Sequence, residues 1–573
     1  MSTTFEYTSP KTSRVGLLGR ELGQRSADGI LVAACLVLGA WYGVLGYHED
    51  PASRIRGSDS IGYYIYLPSI LLQGDIDFAN DFRRLAGEDV FLFPTPDGRA
   101  GNPYSIGPAI FWSPFFLLGH LSAITSGYAS NGYSAPYFFL VYWGNVLYII
   151  AGLLITFRLI RSFDTPSDVA LLATLSILLA TQLTYYIFPK SATSHGLSFT
   201  LVATFALALR REGLTWRSGL LGGLSALIRW QNLLFVPVLA AAVHVSRSGH
   251  RFSGSDARRY VPFVLSVLGG LLPQLILWQA LYWRPFLIPQ LDGYVDLTRL
   301  PVIQVLLSAQ HGLITWHPWW LLAGIGLWFL SGKQKAWAIA IGVVFLLQLY
   351  LNGTVRDWWG TWSCGHRRFV NLIPLFGVGA GILISRIPQR QARWLLFAGV
   401  ALALWNQAFI NQYQRALIPR SKPPTFQEFV YDKFSLNTVW QAQLAVNTAV
   451  HSFRKDDFEN YLRFAKQAHT LYPGYRNSMK VHAVASSVEG RWGQALDDFE
   501  GWLEIEPWSR AAKWGIADIR LKLGQVDQAR MLIDDLGISE GEVEAALSTG
   551  EGTLQTRSFF STYREELDRI YTD

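Results

Sequence analysis

The hydrophobic positions of this chain come in long unbroken runs, not in the stripes of a soluble helix or the alternation of a strand. Such runs lie at 28–47, 136–160, 168–188, 192–210, 260–282, 312–330, 336–352, 367–385 and 393–412. A helix rises about 1.5 Å per residue, so about 20 apolar residues cross the roughly 30 Å hydrocarbon core of a bilayer. Two more segments are apolar but interrupted. Pro108 and Pro114 break 106–125, and Arg229-Trp230-Gln231-Asn232 breaks 218–246. The pattern predicts an all-α protein: a polytopic transmembrane bundle of about eleven spans with interfacial helices, then a small α-helical domain.

Composition reinforces this. Of 573 residues, 50% are hydrophobic and 14% aromatic, while 16% are charged against roughly 25% in a soluble domain. The bilayer must therefore be part of the solvent, and disorder, collagen and small disulfide scaffolds are excluded. Cys35 lies inside the first apolar run and Cys364 in a distant polar stretch, so a disulfide between them is not expected. The run after the polar, basic residues 1–25 is too long for a signal-peptide core and reads as a retained first span.

Charge divides the chain. Residues 1–412 carry 30 Lys+Arg against 19 Asp+Glu, and residues 413–573 carry 19 against 23. The basic residues flank membrane segments instead of forming a stripe, which speaks for topology and against nucleic acid. A full crossing by 106–125 would put Arg158, Arg161, Arg210, Arg211 and Arg217 outside. With 106–125 interfacial or re-entrant, and 218–246 folded as two short helices with Arg229 at the outer apex, every basic cluster becomes cytoplasmic. Those clusters are the N-terminus, Arg158/Arg161, Arg210–Arg217, Arg247–Arg259, Lys333/Lys335 and Arg386–Arg393. The C-terminus is then outside, and the polar segments 48–105, 188–196, 229–232, 283–311 and 353–368 gather on the outer face.

Those segments hold the candidate chemistry. Asp59 lies just beyond the first span, within Arg56-Gly57-Ser58-Asp59-Ser60, and Gly74-Asp75-Ile76-Asp77 follows. Asn102-Pro103-Tyr104-Ser105-Ile106-Gly107-Pro108 opens the broken segment. His195 and His311 each stand at a helix entry, Arg229 interrupts apolar sequence, and Asp357-Trp358-Trp359-Gly360-Thr361-Trp362 leads to Gly365-His366-Arg367-Arg368-Phe369. An intramembrane guanidinium is costly and marks a functional site by default.

Over about residues 28–412 the sequence resembles the GT-C superfamily of polytopic glycosyltransferases, the branch that includes protein O-mannosyltransferases, aminoarabinose transferases and Rgt-type transferases. The resemblance rests on the first-loop acid, the Asn-Pro-Tyr-x-x-Gly-Pro opening, the Arg229 segment and the Trp-rich loop ending in Gly-x-Arg-Arg-Phe. The family often carries two adjacent acids in the first loop, whereas here Ser60 follows Asp59. The resemblance implies transfer of a sugar from a polyprenyl-phosphate donor to an extracytoplasmic glycan, lipid or protein acceptor. Asp59 is then the general base, and Arg229, Arg367, Arg368, His195 and His311 bind the donor phosphate. Asp75, Asp77, Tyr104, Trp358 and Trp359 contact acceptor or sugar. No metal ligands and no firm cofactor are expected; carboxylates could hold a divalent cation only loosely. A lipid-linked glycan polymerase or ligase, and a flippase or transporter, are the rival classes. The expected location is the inner or plasma membrane, with active site and C-terminal tail extracytoplasmic.

The tail repeats. Ala483, Gly490 and Ala495 recur 34 residues later as Ala517, Gly524 and Ala529, and Pro473 recurs as Pro507. This period and pattern is similar to tetratricopeptide repeats, which pair antiparallel helices and commonly hold protein partners. The expected organisation is a cytoplasmic N-terminus (1–27), a transmembrane domain (28–412, with 48–105 as first external loop), a linker (413–454), repeats (455–537) and a helical tail (538–573).

Overall fold

The computed structural model describes residues 23–45, 55, 58–86, 93–248, 254–287, 294–299, 301–361, 363–414, 417–418, 423–505, 509–536 and 562–564. Most of the expected N-terminal segment, Arg56, Gly57, Trp362, Pro507 and nearly all of the 538–573 tail lie outside the described residues. Among the described residues the fold is all-helical apart from a ribbon of β1 (Phe93–Pro94) on β2 (Ala100–Gly101) and a bridge between Val295 and Val355. The chain forms two compact units, Met1–Ile410 and Asn411–Asp573.

The first unit contains α1 (Gln24–Leu45), α2 (Ser58–Tyr64), α3 (Gly107–Thr125), α4 (Ala135–Arg161), α5 (Ser167–Ala180), α6 (Ser194–Glu212) and α7 (Trp216–Ile228). It continues with α8 (Phe235–Ser248), α9 (Gly254–Tyr282), α10 (Trp319–Trp328), α11 (Lys335–Thr354), α12 (Ile373–Arg386) and all but the last turn of α13 (Ala392–Gln414). Seven helical stretches among the described residues are long and apolar enough to cross a membrane: Gln24–Tyr42, Gly107–Thr125, Ala135–Arg161, Arg258–Tyr282, Gly332–Thr354, Arg367–Arg386 and Gln389–Gln414. The outward faces of α1, α9 and α13 expose Val37, Leu265, Ile276, Phe397 and Leu404, as lipid contact requires. Within Arg367–Arg386, by contrast, 83% of the apolar window is buried, so α12 is a central helix.

Two expected continuous spans are broken. The run 168–188 stops at Ala180, where Thr181 turns extended, and resumes only as Leu183–Ile187. The Thr181 hydroxyl accepts the Leu183 N–H (3.2 Å), so the break is capped from within. The run 312–330 breaks at His317, between Leu313–Trp316 and α10. Pro318 disfavours a helical conformation in the residue before it, and His317 has φ −133°, ψ 81°.

Polar contacts sort the helix ends into two groups. At one end Arg158 pairs with Asp28 (2.8 Å), Arg210 donates to the Ser162 carbonyl (3.1 Å), and Arg247 donates to the Arg210 carbonyl (3.0 Å). Gln334 donates to Asp164 (2.9 Å) and Arg386 to the Phe329 carbonyl (3.5 Å) in the same group. At the other end Tyr42 donates to Gln407 (2.6 Å), Ser105 to the Ile228 carbonyl (2.7 Å), and the Asp296 N–H to the Thr354 carbonyl (2.7 Å). Helix α3 is continuous, but it runs beside only the first half of α4. Gly119 lies against Tyr137, Trp112 donates to Asn145 (2.9 Å), and Tyr148 donates to the Phe111 carbonyl (3.1 Å). Its first residue, Gly107, rests on the Leu227–Ile228 backbone, far along the chain from the arginine-rich end.

The second unit contains α14 (Leu436–Arg454), α15 (Phe458–Leu471), α16 (Arg476–Val488), α17 (Trp492–Ile505), α18 (Arg510–Lys522) and α19 (Val526–Leu536). Helix α15 begins 34 residues before α17 and α17 begins 34 before α19, with the same offset between α16 and α18. Ala483, Ala495, Ala517 and Ala529 are all fully buried, which lets the helices approach closely. Residues 413–454, expected as a linker, include the 19-residue α14. Its buried Val439, Ala442, Val446, Ala449, Val450 and Phe453 recur at helical spacing and form a core face, a stripe too short in large apolar residues to stand out from sequence.

Candidate active site

Helix α2 carries Asp59 in its first turn. Its other face is clamped by the 102–106 strap. Asn102 Nδ2 donates to the Gly62 carbonyl (2.7 Å), and Tyr66 Oη donates to the Tyr104 carbonyl (2.6 Å). Gly62 is required at this crossing: a Cβ there would sit 2.0 Å from the Tyr104 ring. Farther along, Ser105 Oγ reaches the carbonyl before Arg229, and the Ile106 N–H donates to Gln274 Oε1 of α9 (2.9 Å). The Asn-Pro-Tyr opening therefore ties the aspartate-bearing helix to α7 and α9.

Arg229 stands where α7 ends, in extended conformation (φ −145°, ψ 113°), before a single 3₁₀ turn, Trp230–Leu234, leads into α8. Breaking a helix in apolar surroundings frees backbone groups that need partners. The Ser225 carbonyl accepts from the Arg229 N–H (3.3 Å) and from Asn232 Nδ2 (2.8 Å). Asn232 also donates to Ser198 Oγ (2.8 Å) and accepts from Asn371 Nδ2 (2.8 Å), and Gln348 Nε2 donates to Asn371 Oδ1 (2.9 Å). Gln348 donates to the Arg368 carbonyl as well. This ladder of buried amides fixes both the Arg229 break and the start of the Arg367 segment. The Arg229 guanidinium lies 3.2 Å from both Ser194 Oγ and His195 Nδ1, and Ser194 Oγ donates to Tyr63 Oη (2.9 Å).

The 355–368 loop brings two more guanidinium groups. Arg367 Nη1 pairs with Asp59 Oδ2 at 2.6 Å, and its Nη2 donates to Thr361 Oγ1 (3.2 Å). Thr361 has φ +53°, a left-handed conformation uncommon for a β-branched residue. Arg368 pairs with Asp357 Oδ2 (2.7 Å), and donates to the Asp357 carbonyl (2.9 Å) and Tyr294 Oη (3.0 Å). Burial alone would push the Asp357 carboxyl up, but the Arg368 charge and hydrogen bond hold it below its ordinary value. Burial raises the Tyr294 phenol to about 12 and pushes the Tyr63 phenol upward, with the Asp59 charge adding to the latter.

Asp59, Tyr104, Arg229, Arg367 and Arg368 line one cavity of about 440 Å³, together with Tyr63, Ser105, Gln274, Trp278, Tyr294, Asp357 and Thr361. Gln274 Nε2 and Trp278 Nε1 are buried without a hydrogen-bond partner among the described residues. Trp230 and Leu233 also belong to the wall of a second cavity, about 630 Å³, enclosed by α8 and α9 residues including Val236, Pro237, Phe263 and Val267.

The remaining expected site residues do not reach the first cavity's wall. His195 is buried behind Arg229 and packs against Tyr186, so it supports the guanidinium instead of facing the cavity. His311 is fully buried, with Nδ1 2.9 Å from the Trp359 carbonyl, and burial lowers its pKa to about 4. Asp75 and Asp77 are exposed and close successive turns, Asp75 accepting from the Asp77 N–H (3.1 Å) and Asp77 from the Ala79 N–H (3.2 Å). Trp358 and Trp359 pack edge-to-face on each other (5.9 Å). Sequence reasoning passed over Gln274, a polar side chain inside an otherwise apolar run, and Asp357, the acid that opens the Trp-rich stretch. Both patterns are signals of the kind that singled out Arg229.

Comparison with protein-family models, with curated proteins and with solved structures gives no match to this chain.

Proposed function

We propose that the protein is an integral-membrane glycosyltransferase that moves a sugar from a polyprenyl-phosphate donor to an extracytoplasmic glycan, lipid or protein acceptor. The observation that carries this reading is a cavity wall where Asp59, and Asp357 paired to Arg368, meet three guanidinium groups, Arg229, Arg367 and Arg368, beside an apolar cavity that shares Trp230 and Leu233. An amphiphile with an anionic head and an isoprenoid tail matches that pairing of chemistries.

The proposed reaction is a direct displacement. Asp59 takes the proton of the acceptor hydroxyl, whose oxygen bonds to the anomeric carbon as the bond from that carbon to the phosphate oxygen breaks. The electron pair leaves with the polyprenyl phosphate, and Arg229 and Arg367 stabilise it as fixed donors in a partly dehydrated site. Arg368, occupied by Asp357 and Tyr294, shapes the wall. Since Arg367 pairs with Asp59 at 2.6 Å, an arriving phosphate competes for that guanidinium and frees the base. Gln274 Nε2 and Trp278 Nε1 offer donors for phosphate or sugar oxygens.

The same reading proposes eleven passes: α1, α4, α5, α6, α7, α8, α9, 313–328, α11, α12 and α13. Helix α3 is then a re-entrant element on the site side. In support, Arg158, Arg210, Arg247 and Arg386 are all tied to one group of helix ends, which becomes cytoplasmic under the positive-inside rule. The cavity and the second unit then belong to the extracytoplasmic side of an inner or plasma membrane. The 34-residue helix offsets support a tetratricopeptide-like tail, a repeat class that commonly holds protein partners.

The test is donor binding by full-length protein in lipid nanodiscs, using a labelled polyprenyl-phosphate sugar. Arg229→Gln is expected to weaken binding about tenfold or more while helicity and monodispersity persist; unchanged affinity counts against the assignment. A flippase would bind the same donor but release no polyprenyl phosphate in the presence of acceptor.

A further inference from the structure

The second unit contains a cluster that the glycosyltransferase reading does not use. His469 lies in the last turn of α15, His482 in α16 and Asp498 in α17. One donor atom from each lies within 4.8 Å of the others. His482 and Asp498 are 3% and 8% exposed, so this is an interior site and not a surface coincidence. His482 Nδ1 and Asp498 Oδ2 lie at hydrogen-bond distance, 2.7 Å, and His469 Nδ1 is buried without a hydrogen-bond partner among the described residues.

We propose that His469, His482 and Asp498 form a three-ligand site for a nitrogen-seeking divalent cation of the zinc class, joining three successive helices of the tail. Two imidazoles and one carboxylate suit zinc and its first-row neighbours, whereas magnesium and calcium prefer all-oxygen sets. Zinc–nitrogen and zinc–oxygen bonds of about 2.0–2.1 Å with tetrahedral angles set donor atoms about 3.3 Å apart. The ion therefore takes the place of the proton between His482 and Asp498 while those two atoms separate slightly. The other closures are at most about 1.5 Å. The two imidazole rings lie 3.8 Å apart and nearly parallel, at 13°, so their lone pairs run side by side. Convergence requires one ring to turn, and His469, half-buried at a helix end, is the one with room. The nearby Arg491 is paired with Glu489 (2.6 Å), which offsets its charge. A fourth position stays open for water or for a ligand group from a partner.

The site couples α15, α16 and α17, so the ion adds stability to the tail by binding only its folded form. This inference does not depend on the chemistry of the first unit. The experiment uses full-length protein in detergent, stripped with chelator, dialysed against Zn²⁺ and counted by mass spectrometry of the metal. Co²⁺ loaded in parallel reports coordination through its visible absorption. The wild type is expected to retain one zinc per chain and to show tetrahedral cobalt bands. His469→Ala, which disturbs the least buried ligand, and Asp498→Asn are each expected to lose at least about tenfold in affinity with unchanged helicity. His451→Ala, outside the cluster, keeps the ion. Wild-type protein that retains no zinc, or His469→Ala that binds as tightly as wild type, overturns the proposal.

Discussion

Separating Asp59 from Arg367 tests the heart of the site. The pair is short, 2.6 Å, and its side chains are 22% and 18% exposed. Exposed pairs contribute about 0–1 kcal/mol, while removing one partner of a fully buried pair costs about 3–5 kcal/mol. At about one-fifth exposure, Arg367→Gln should cost roughly 2–3 kcal/mol, because it leaves a largely enclosed carboxylate without its cation. Asp59→Asn should cost less, about 1–2 kcal/mol, since Arg367 keeps its bond to Thr361. The double variant should fall short of the sum by about 1–2 kcal/mol, the coupling expected of residues in direct contact. Equilibrium unfolding of the four proteins in one detergent supplies the cycle. Strict additivity, with both single changes near zero, would refute the ion pair and with it the release of the base by an arriving phosphate.

Three further outcomes follow from the same geometry. Gly62→Ala drives a methyl group into the Tyr104 ring, 2.0 Å away; a loss of about 1–3 kcal/mol is expected, and an unchanged melting midpoint would contradict the clamp. Asn371→Leu removes the link between Asn232 and Gln348. Amide oxygens left without a donor on Asn232 and Gln348 should cost about 2–4 kcal/mol and weaken donor binding by loosening the Arg229 break, so a neutral result would argue against the ladder. His311 has its pKa lowered to about 4 by burial. Its folded form therefore binds protons less readily than the unfolded chain, and stability should fall as pH drops from about 6.5 towards 4. His311→Asn, which tolerates the φ of +57° there, should flatten that slope in melting curves taken against pH; an equally steep slope means that other groups cause it.

Most of the helices were legible because long apolar runs leave few alternatives. Arg229 stood out for the same reason, as a charge where every neighbour is oily. Interruptions without charge were harder to read: Thr181 and His317-Pro318 end helices inside stretches that hydropathy alone joins. At the site, Asp59 and the two arginines were visible as polar residues held beside membrane segments. The supporting shell was not, because Asn232, Asn371 and Gln348 act through contacts between residues more than a hundred positions apart in the chain as well as nearer ones. His195 and His311 occupy helix entries, a pattern that suggests ligand contact; both are buried, His195 beside the Arg229 guanidinium and His311 against the Trp359 carbonyl, contacts that local sequence does not reveal. The His469, His482 and Asp498 cluster of the tail escaped notice since its three members lie on separate helices with no ligand spacing between them.

The most direct measurement is turnover by Asp59→Asn with a labelled polyprenyl-phosphate sugar and membrane acceptor, run beside its donor affinity. Loss of transfer by about a hundredfold or more, with donor still bound, is the predicted result for a missing general base. Near-wild-type release of polyprenyl phosphate from that variant would contradict the account.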